Sequence, residues 1–247
     1  MDRISIKEHA KEQIKGKIFQ LLAIYLVIGA ASMVISLVFG PISGIINFLI
    51  GGPIAYAMAT IYLGIVKKSR TPDIDDLLMG FKNNKYTRNL VAYIRYNLFV
   101  FLWCLLLIVP GIIKAISYSQ MFFLLAEDDK LEAGDAQKKS MEMMEGHKEE
   151  YFVLILSFIP WFLLCIVTLG IAAIYVVPYV QCSLAEFHVH LVKENKLSTK
   201  VAKAVEEEVE KVKTAATKTA KTVKTAATKT AKKVTAKTKA VKKSTKK

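Results

Sequence analysis

Four histidines are the side chains with which this 247-residue chain could hold a metal ion or move protons near neutral pH: His9, His147, His188 and His190. None stands in an HExxH arrangement or in a Cys/His spacing that closes a zinc site. His188 and His190 are two apart, and residues two apart on a helix face different ways, so that pair is not expected to share a metal. Cys104, Cys165 and Cys182 fall inside apolar runs without CxxC spacing, where a thiol acts as a small hydrophobe. GxSxG, Walker A and dinucleotide fingerprints are lacking. The sequence therefore predicts no catalytic residue, no metal, no cofactor and no enzyme.

Polar groups within or beside apolar runs are the remaining candidates, because such positions are functional by default. They are Lys114, Glu127 and Glu186, with the amides Asn47, Asn97, Gln120 and Gln181. Interfacial snorkelling or interhelical hydrogen bonding is the plainer account, favoured because the three charged residues lie near the ends of their runs. Transport through a bundle built from repeats is the functional alternative.

The elements that must position these groups are helices in lipid. Hydrophobic residues make up 53% of the chain, yet the net charge is +14. Segregation reconciles the two. From Ser198 onward 16 Lys accompany four Glu, which leaves 19 basic and 17 acidic residues in the body up to Leu197. Within that body, apolar runs approach the ~20 residues that cross ~30 Å of hydrocarbon as a helix. The predicted fold class is all-α and polytopic, with six spans at about 18–39, 42–66, 90–109, 112–126, 152–168 and 171–192 paired as three hairpins. Gly40-Pro41, Pro110-Gly111 and Leu169-Gly170 are the expected turns. The membrane domain is expected to occupy 1–197 and a basic tail 198–247.

Two of the hairpins repeat one pattern. Trp103 to Glu127 and Trp161 to Glu186 each open on Trp, break at a Gly (Gly111, Gly170) and close on Ala-Glu sixteen residues later, which indicates a unit used more than once. Gly16-Lys17, Gly80-Phe81-Lys82 and Gly146-His147-Lys148 echo one another ahead of the hairpins and suggest three units. Each unit begins with a surface helix. In the first, Ile6, Ala10, Ile14 and Lys17 or Ile18 align on one face, and the helix is expected to lie on the membrane. In the second, Asp73, Asp75 and Asp76 start a short amphipathic helix with Leu77, Leu78 and Phe81 on its apolar side. In the third, Ala136, Ser140, Met143, Met144 and His147 form a weak face. Arg95 is expected to snorkel into headgroups.

Lys and Arg set the orientation, since short loops rich in them stay cytoplasmic. Arg3, Lys7, Lys11, Lys15 and Lys17 precede the first span, and Lys67, Lys68, Arg70, Lys82, Lys85, Arg88 and Arg95 follow the second. Both termini are expected inside a plasma membrane. A count that joins Leu98 to Ala126 into one kinked helix would put the 16 tail lysines outside, against the charge rule.

KEHAKEQIKGK near the start, DLLMGFK at Asp76 to Lys82, LLLIVPGIIKAISYSQ at Leu105 to Gln120, SMEMMEGHK at Ser140 to Lys148 and LSFIPWFLLCIVTLGIAAIYVVPY at Leu156 to Tyr179 stand in one order. Together they resemble a bacterial integral membrane family catalogued as domain of unknown function 975, over roughly Met1 to Val192. The resemblance implies a multi-pass plasma-membrane protein with no assigned activity. Phe187-His188 departs from the Phe-Tyr that the family tends to show.

The tail lies beyond the resemblance. Val212 to Thr222 and Val223 to Lys233 are successive eleven-residue repeats, and eleven residues make three turns at 3.67 per turn. Ala215, Ala216, Thr219, Ala220 and Val223 fall on one side, with cations on the other. Lys213, Lys218, Lys221, Lys224, Lys229, Lys232 and Lys233 are the candidate residues for an anionic surface. The lipid bilayer is the first expected partner. Anionic lipid headgroups, worth about 1 kcal/mol per Lys, or nucleic acid, through counterion release, are the partners expected of the tail. Without an aromatic residue after Leu197, base stacking has no support.

Overall fold

In a computed structural model the described residues are 3–82 and 85–197, and their regular elements are helical. The tail repeats and the seven candidate tail lysines lie outside the described residues. Contacts divide the chain into Met1–Lys193 and Glu194–Lys247, and the packing below belongs to the first unit.

Helix α1 spans Arg3–Ile14 and buries Ile6, Ala10 and Ile14, the face expected from their spacing. That face meets protein, however, and is not laid on lipid. Lys7 Nζ donates to Ser157 O and Oγ at 3.1 and 3.2 Å and stands 4.5 Å over the Phe158 ring. Lys11 sits over Trp161 and Tyr179. Cation–π contacts of this kind hold an amphipathic helix against an aromatic groove.

Helices α2 (Ile18–Phe39) and α3 (Ser43–Lys68) are separated by a 3-10 turn at Gly40–Ile42. Gly40 takes φ +51° there, a left-handed value that glycine adopts without a Cβ penalty. Tyr25 and Tyr62 hydroxyls meet at 2.9 Å across the pair. Pro53 and its glycines lie inside α3, as expected, and serve close contact. A Cβ on Gly52 would come 2.6 Å from the Asn89 carbonyl oxygen, and one on Gly51 would strike the Tyr93 ring.

The acidic segment after α3 is a 3-10 helix, Ile74–Gly80, capped reciprocally by Asp73 and Asp76. With three residues per turn, Leu77 and Gly80 line up and are buried, while Leu78 and Phe81, expected on the apolar side, are exposed. Gly80 rests directly on the Pro53 backbone.

Helix α4 (Lys85–Leu106) gives way to α5 (Ile108–Ser117) at Leu107, whose backbone is extended. The break thus comes before Pro110-Gly111 and not at it. Pro110 is the third residue of α5, where no intrahelical N–H bond is required of it, so it begins a helix instead of ending one. Gly111 is helical and packs on Cys104, with Cβ room of only 2.8 Å to the Cys104 Cα. Tyr118 returns to Tyr96 and Phe99 at ring separations of 6.5 and 6.4 Å. Short helix α6 (Met121–Glu127) follows after a turn at 118–120.

Helix α7 (Ala133–Met143) buries Ala136, Ser140 and Met143, with Met144 just beyond. Arg95, expected in the headgroups, instead donates Nε to Gln137 Oε1 of α7 at 3.0 Å and covers Phe99. Helices α8 (Lys148–Leu156) and α9 (Ile159–Val167) lead to Leu169 and Gly170, both at positive φ, and then to α10 over residues 173–197. Phe158 meets Tyr179, and Tyr151 meets Phe187, so α10 runs back along α8 and α9.

Four helical stretches among the described residues are long and apolar enough to cross a membrane: Ile18–Lys68, Lys85–Leu106, Ile108–Glu127 and Lys148–Val167. Their outer surfaces are apolar. Phe19, Leu37, Leu105, Ile108, Ile166 and Val167 are all among the exposed large hydrophobics.

Candidate functional site

Glu127 closes α6 and meets residues from two other helices. Lys67, in the last turn of α3, forms an ion pair with its Oε1. His188 of α10 approaches the same oxygen with Nε2 at 3.2 Å. That approach is too oblique for a well-formed hydrogen bond. His188 is wholly buried, its ring stacked on Phe123 with centroids 5.1 Å apart.

On its other side, His188 Nδ1 lies 3.1 Å from Gln120 Oε1. Gln120 Nε2 donates to Ser119 Oγ at 2.8 Å, which turns the amide oxygen toward the imidazole and makes Nδ1 the donor. The turn at 118–120 leaves backbone groups without helical partners, and Ser140 supplies them. Its Oγ accepts from Gln120 N at 3.2 Å and donates to Ser117 O at 2.7 Å. The result is a buried polar path, Ser117–Ser140–Gln120–His188–Glu127–Lys67, that ends at the exposed rim of α3. An imidazole and a carboxylate this close can exchange a proton only once the ring turns to bring Nε2 into line with Oε1.

A second meeting point forms around Glu186 of α10, which is 8% exposed. His9 Nδ1 of α1 lies 3.5 Å and His190 Nε2 3.7 Å from its Oε1. His188 and His190 do diverge, as their spacing requires, each to a different carboxylate.

The rim carries paired charge. Arg88 donates to the carbonyls of Leu125, Asp128, Asp129 and Leu131, closing the C-terminal end of α6. Lys85 Nζ stands 2.7 Å from Asp129 Oδ1. That hydrogen bond is the largest influence on Asp129 and holds its carboxyl below the ordinary 3.8. Arg70 pairs at 2.7 Å with Asp76, which is buried. A cleft of about 280 Å³ is lined by Thr60, Lys67, Lys68, Arg70 and Glu127.

Of the sequence candidates, Glu127 and Gln120 are brought together, and Glu186 forms its own cluster. Lys114 lies apart, with Nζ 5.2 Å over the Trp103 ring. Asn97 Nδ2 donates to Tyr93 O within α4 at 2.8 Å. Asn47 is half-buried in α3. Gln181 lines an apolar cavity of about 370 Å³, together with Tyr25, Met58, Ser119, Phe122 and Tyr151. Sequence reasoning missed Lys67 and His188 as partners of Glu127, because their contacts span 60 residues or more of chain. The i,i+4 spacing of Glu186 and His190 was a legible signal.

The chain matches the family described as protein of unknown function DUF975, over residues 1–117 and again over 105–195. It belongs to that family. No curated protein and no solved structure matches it. Both polar clusters of this DUF975 chain lie within the matched residues, while the basic tail lies outside them.

Proposed function

We propose that this chain is a non-enzymatic integral membrane protein that crosses a bacterial plasma membrane six times, as three hairpins with both termini in the cytosol. Its lysine tail binds an anionic surface at the inner face, either lipid headgroups or nucleic acid. The observation that carries this reading is the distribution of polarity. Gln120, Ser140 and His188 are buried while Phe19, Leu37, Val167 and Leu169 face outward, the pattern suited to a hydrocarbon surround. The 51-residue stretch Ile18–Lys68 is about twice the length one crossing needs and is broken at Gly40–Ile42. The three turns at Gly40, Leu107 and Gly170 are uncharged, whereas Lys67, Lys85, Arg88 and Asp129 gather at other helix ends. Lys and Arg on that side argue for the cytosol.

Deleting Ser198 to Lys247 tests the tail. Pelleting with anionic liposomes, or with DNA, should fall to background in the deletion, and unchanged pelleting of both would end the tail-binding reading. Single-cysteine labelling tests sidedness: a thiol at Leu169 should react with an impermeant reagent on intact cells and one at Lys247 should not.

A second reading, a small transporter or channel, is favoured by one observation. The 370 Å³ cavity is lined by Ser119, which bonds the Gln120 amide of the buried path to Glu127. On this reading Glu127→Gln lowers a proton or cation flux in proteoliposomes, and an unaltered flux counts against it.

A further inference from the structure

We infer that His9, Glu186 and His190 form a binding site for a divalent transition-metal ion of the zinc class. Their ligand atoms, one from each side chain, lie within 4.8 Å of one another. Both imidazole nitrogens converge on the same carboxylate oxygen, Glu186 Oε1, at 3.5 and 3.7 Å. These separations are too long for N–H···O hydrogen bonds, whose usual range ends at about 3.2 Å. They suit atoms that flank a common cation. Bonds of about 2.0–2.1 Å in a tetrahedral site place neighbouring ligand atoms about 3.4 Å apart. Small side-chain rotations reach that geometry.

The scaffold presents the ligands for this purpose. Glu186 and His190 are one turn apart on α10, so they face the same way, and α1 brings His9 across to them. The backbone of α1 is fixed independently by its buried face of Ile6, Ala10 and Ile14 and by the Lys7 contacts to Ser157. Glu186 is buried and His9 exposed, so the site is open to an entering ion on the His9 side. Two imidazoles and one carboxylate suit Zn²⁺ and its neighbours in the first transition row; Mg²⁺ and Ca²⁺ prefer sets made of oxygen. Three protein ligands leave a fourth position for water at the exposed side. A bound ion fastens the N-terminal helix to α10.

The test uses tag-free, full-length protein in detergent, with Zn²⁺ followed by calorimetry and Co²⁺ by its visible absorption. Wild type should bind Zn²⁺ at this site and show the d–d bands of four-coordinate Co²⁺, and Zn²⁺ should raise its melting temperature. His9→Ala, Glu186→Gln and His190→Ala should each weaken Zn²⁺ binding at least tenfold and abolish the Co²⁺ bands. His147→Ala, outside the cluster, should leave both unchanged. His9 is exposed, so His9→Ala retains the fold and decides the matter even if Glu186→Gln perturbs packing. Wild type without Zn²⁺ uptake, or His9→Ala with wild-type affinity and bands, would overturn the assignment. Neither result touches the tail, so the proposed anionic-surface function stands or falls separately.

Discussion

His188 Nε2 lies 3.2 Å from Glu127 Oε1, joining the last turn of α6 to a ring that solvent does not reach. The two partners carry unequal weight, because His188 is enclosed while Lys67 and Glu127 remain partly exposed. Replacing His188 by Ala removes a buried ring and strips Gln120 Oε1 of its donor, for a loss of about 2–4 kcal/mol. Lys67→Ala removes a rim ion pair and should cost no more than about 1 kcal/mol. Thermal unfolding in detergent should rank them in that order, and equal effects would contradict the assigned burial.

Glycine positions separate into two kinds. Gly52→Ala and Gly80→Ala drive a Cβ into backbone, at 2.6 Å from Asn89 O and 2.1 Å from Pro53 O. Each should destabilise by about 1–3 kcal/mol, as overpacking does. Gly29 in α2 has nothing within 4 Å of its would-be Cβ, so Gly29→Ala should stabilise by about 0.5–1 kcal/mol through helix propensity. Melting curves of the three variants are the measurement.

Asp76 anchors the 3-10 segment by accepting from Arg70 Nη2 at 2.7 Å and from Asp73 N at 3.2 Å. Asp76→Asn keeps the shape but weakens both bonds, at about 1–2 kcal/mol given the half-exposed arginine. The expected sign is faster proteolysis between Ser69 and Lys82, with the bundle melting little changed. A protection pattern identical to wild type would refute the anchoring role.

Stability should also respond to pH through Asp129. Its folded carboxyl titrates below the ordinary 3.8, chiefly because Lys85 donates to it. The stabilisation is therefore fully present above the unfolded value and is lost as pH falls through the folded one. Asp129 is 60% exposed in its side chain, so solvent keeps the effect small. Melting temperatures taken from pH 6 downward should fall less steeply below pH 4 in Asp129→Asn than in wild type.

Spacing made several features legible. Ile6, Ala10 and Ile14 announced the buried face of α1, and Ala136, Ser140 and Met143 that of α7, since a 3.6-residue period is a local property. Leu169-Gly170 marked a turn that the backbone adopts at positive φ. Pro110-Gly111 misled because the same two residues serve a helix start as readily as a helix stop. The extended backbone at Leu107 and the packing of Gly111 on Cys104 distinguish the roles, and that is a matter of how α4 and α5 pack.

The order of residues alone settled that the described chain is helical, apolar and a DUF975 member, because periodicity, composition and ordered motifs are written along one dimension. It also singled out Glu127, Gln120 and Glu186 as polar groups in unusual places. Which side chains answer them was decided only by the fold. Lys67 and His188 reach Glu127 across 60 and 61 residues, and His9 reaches Glu186 across 177. Nothing local to either partner encodes such a meeting. It arises because α3 and α6 end together beside His188 in the interior of α10, and because α1 docks across α10 on a face chosen by three buried apolar residues.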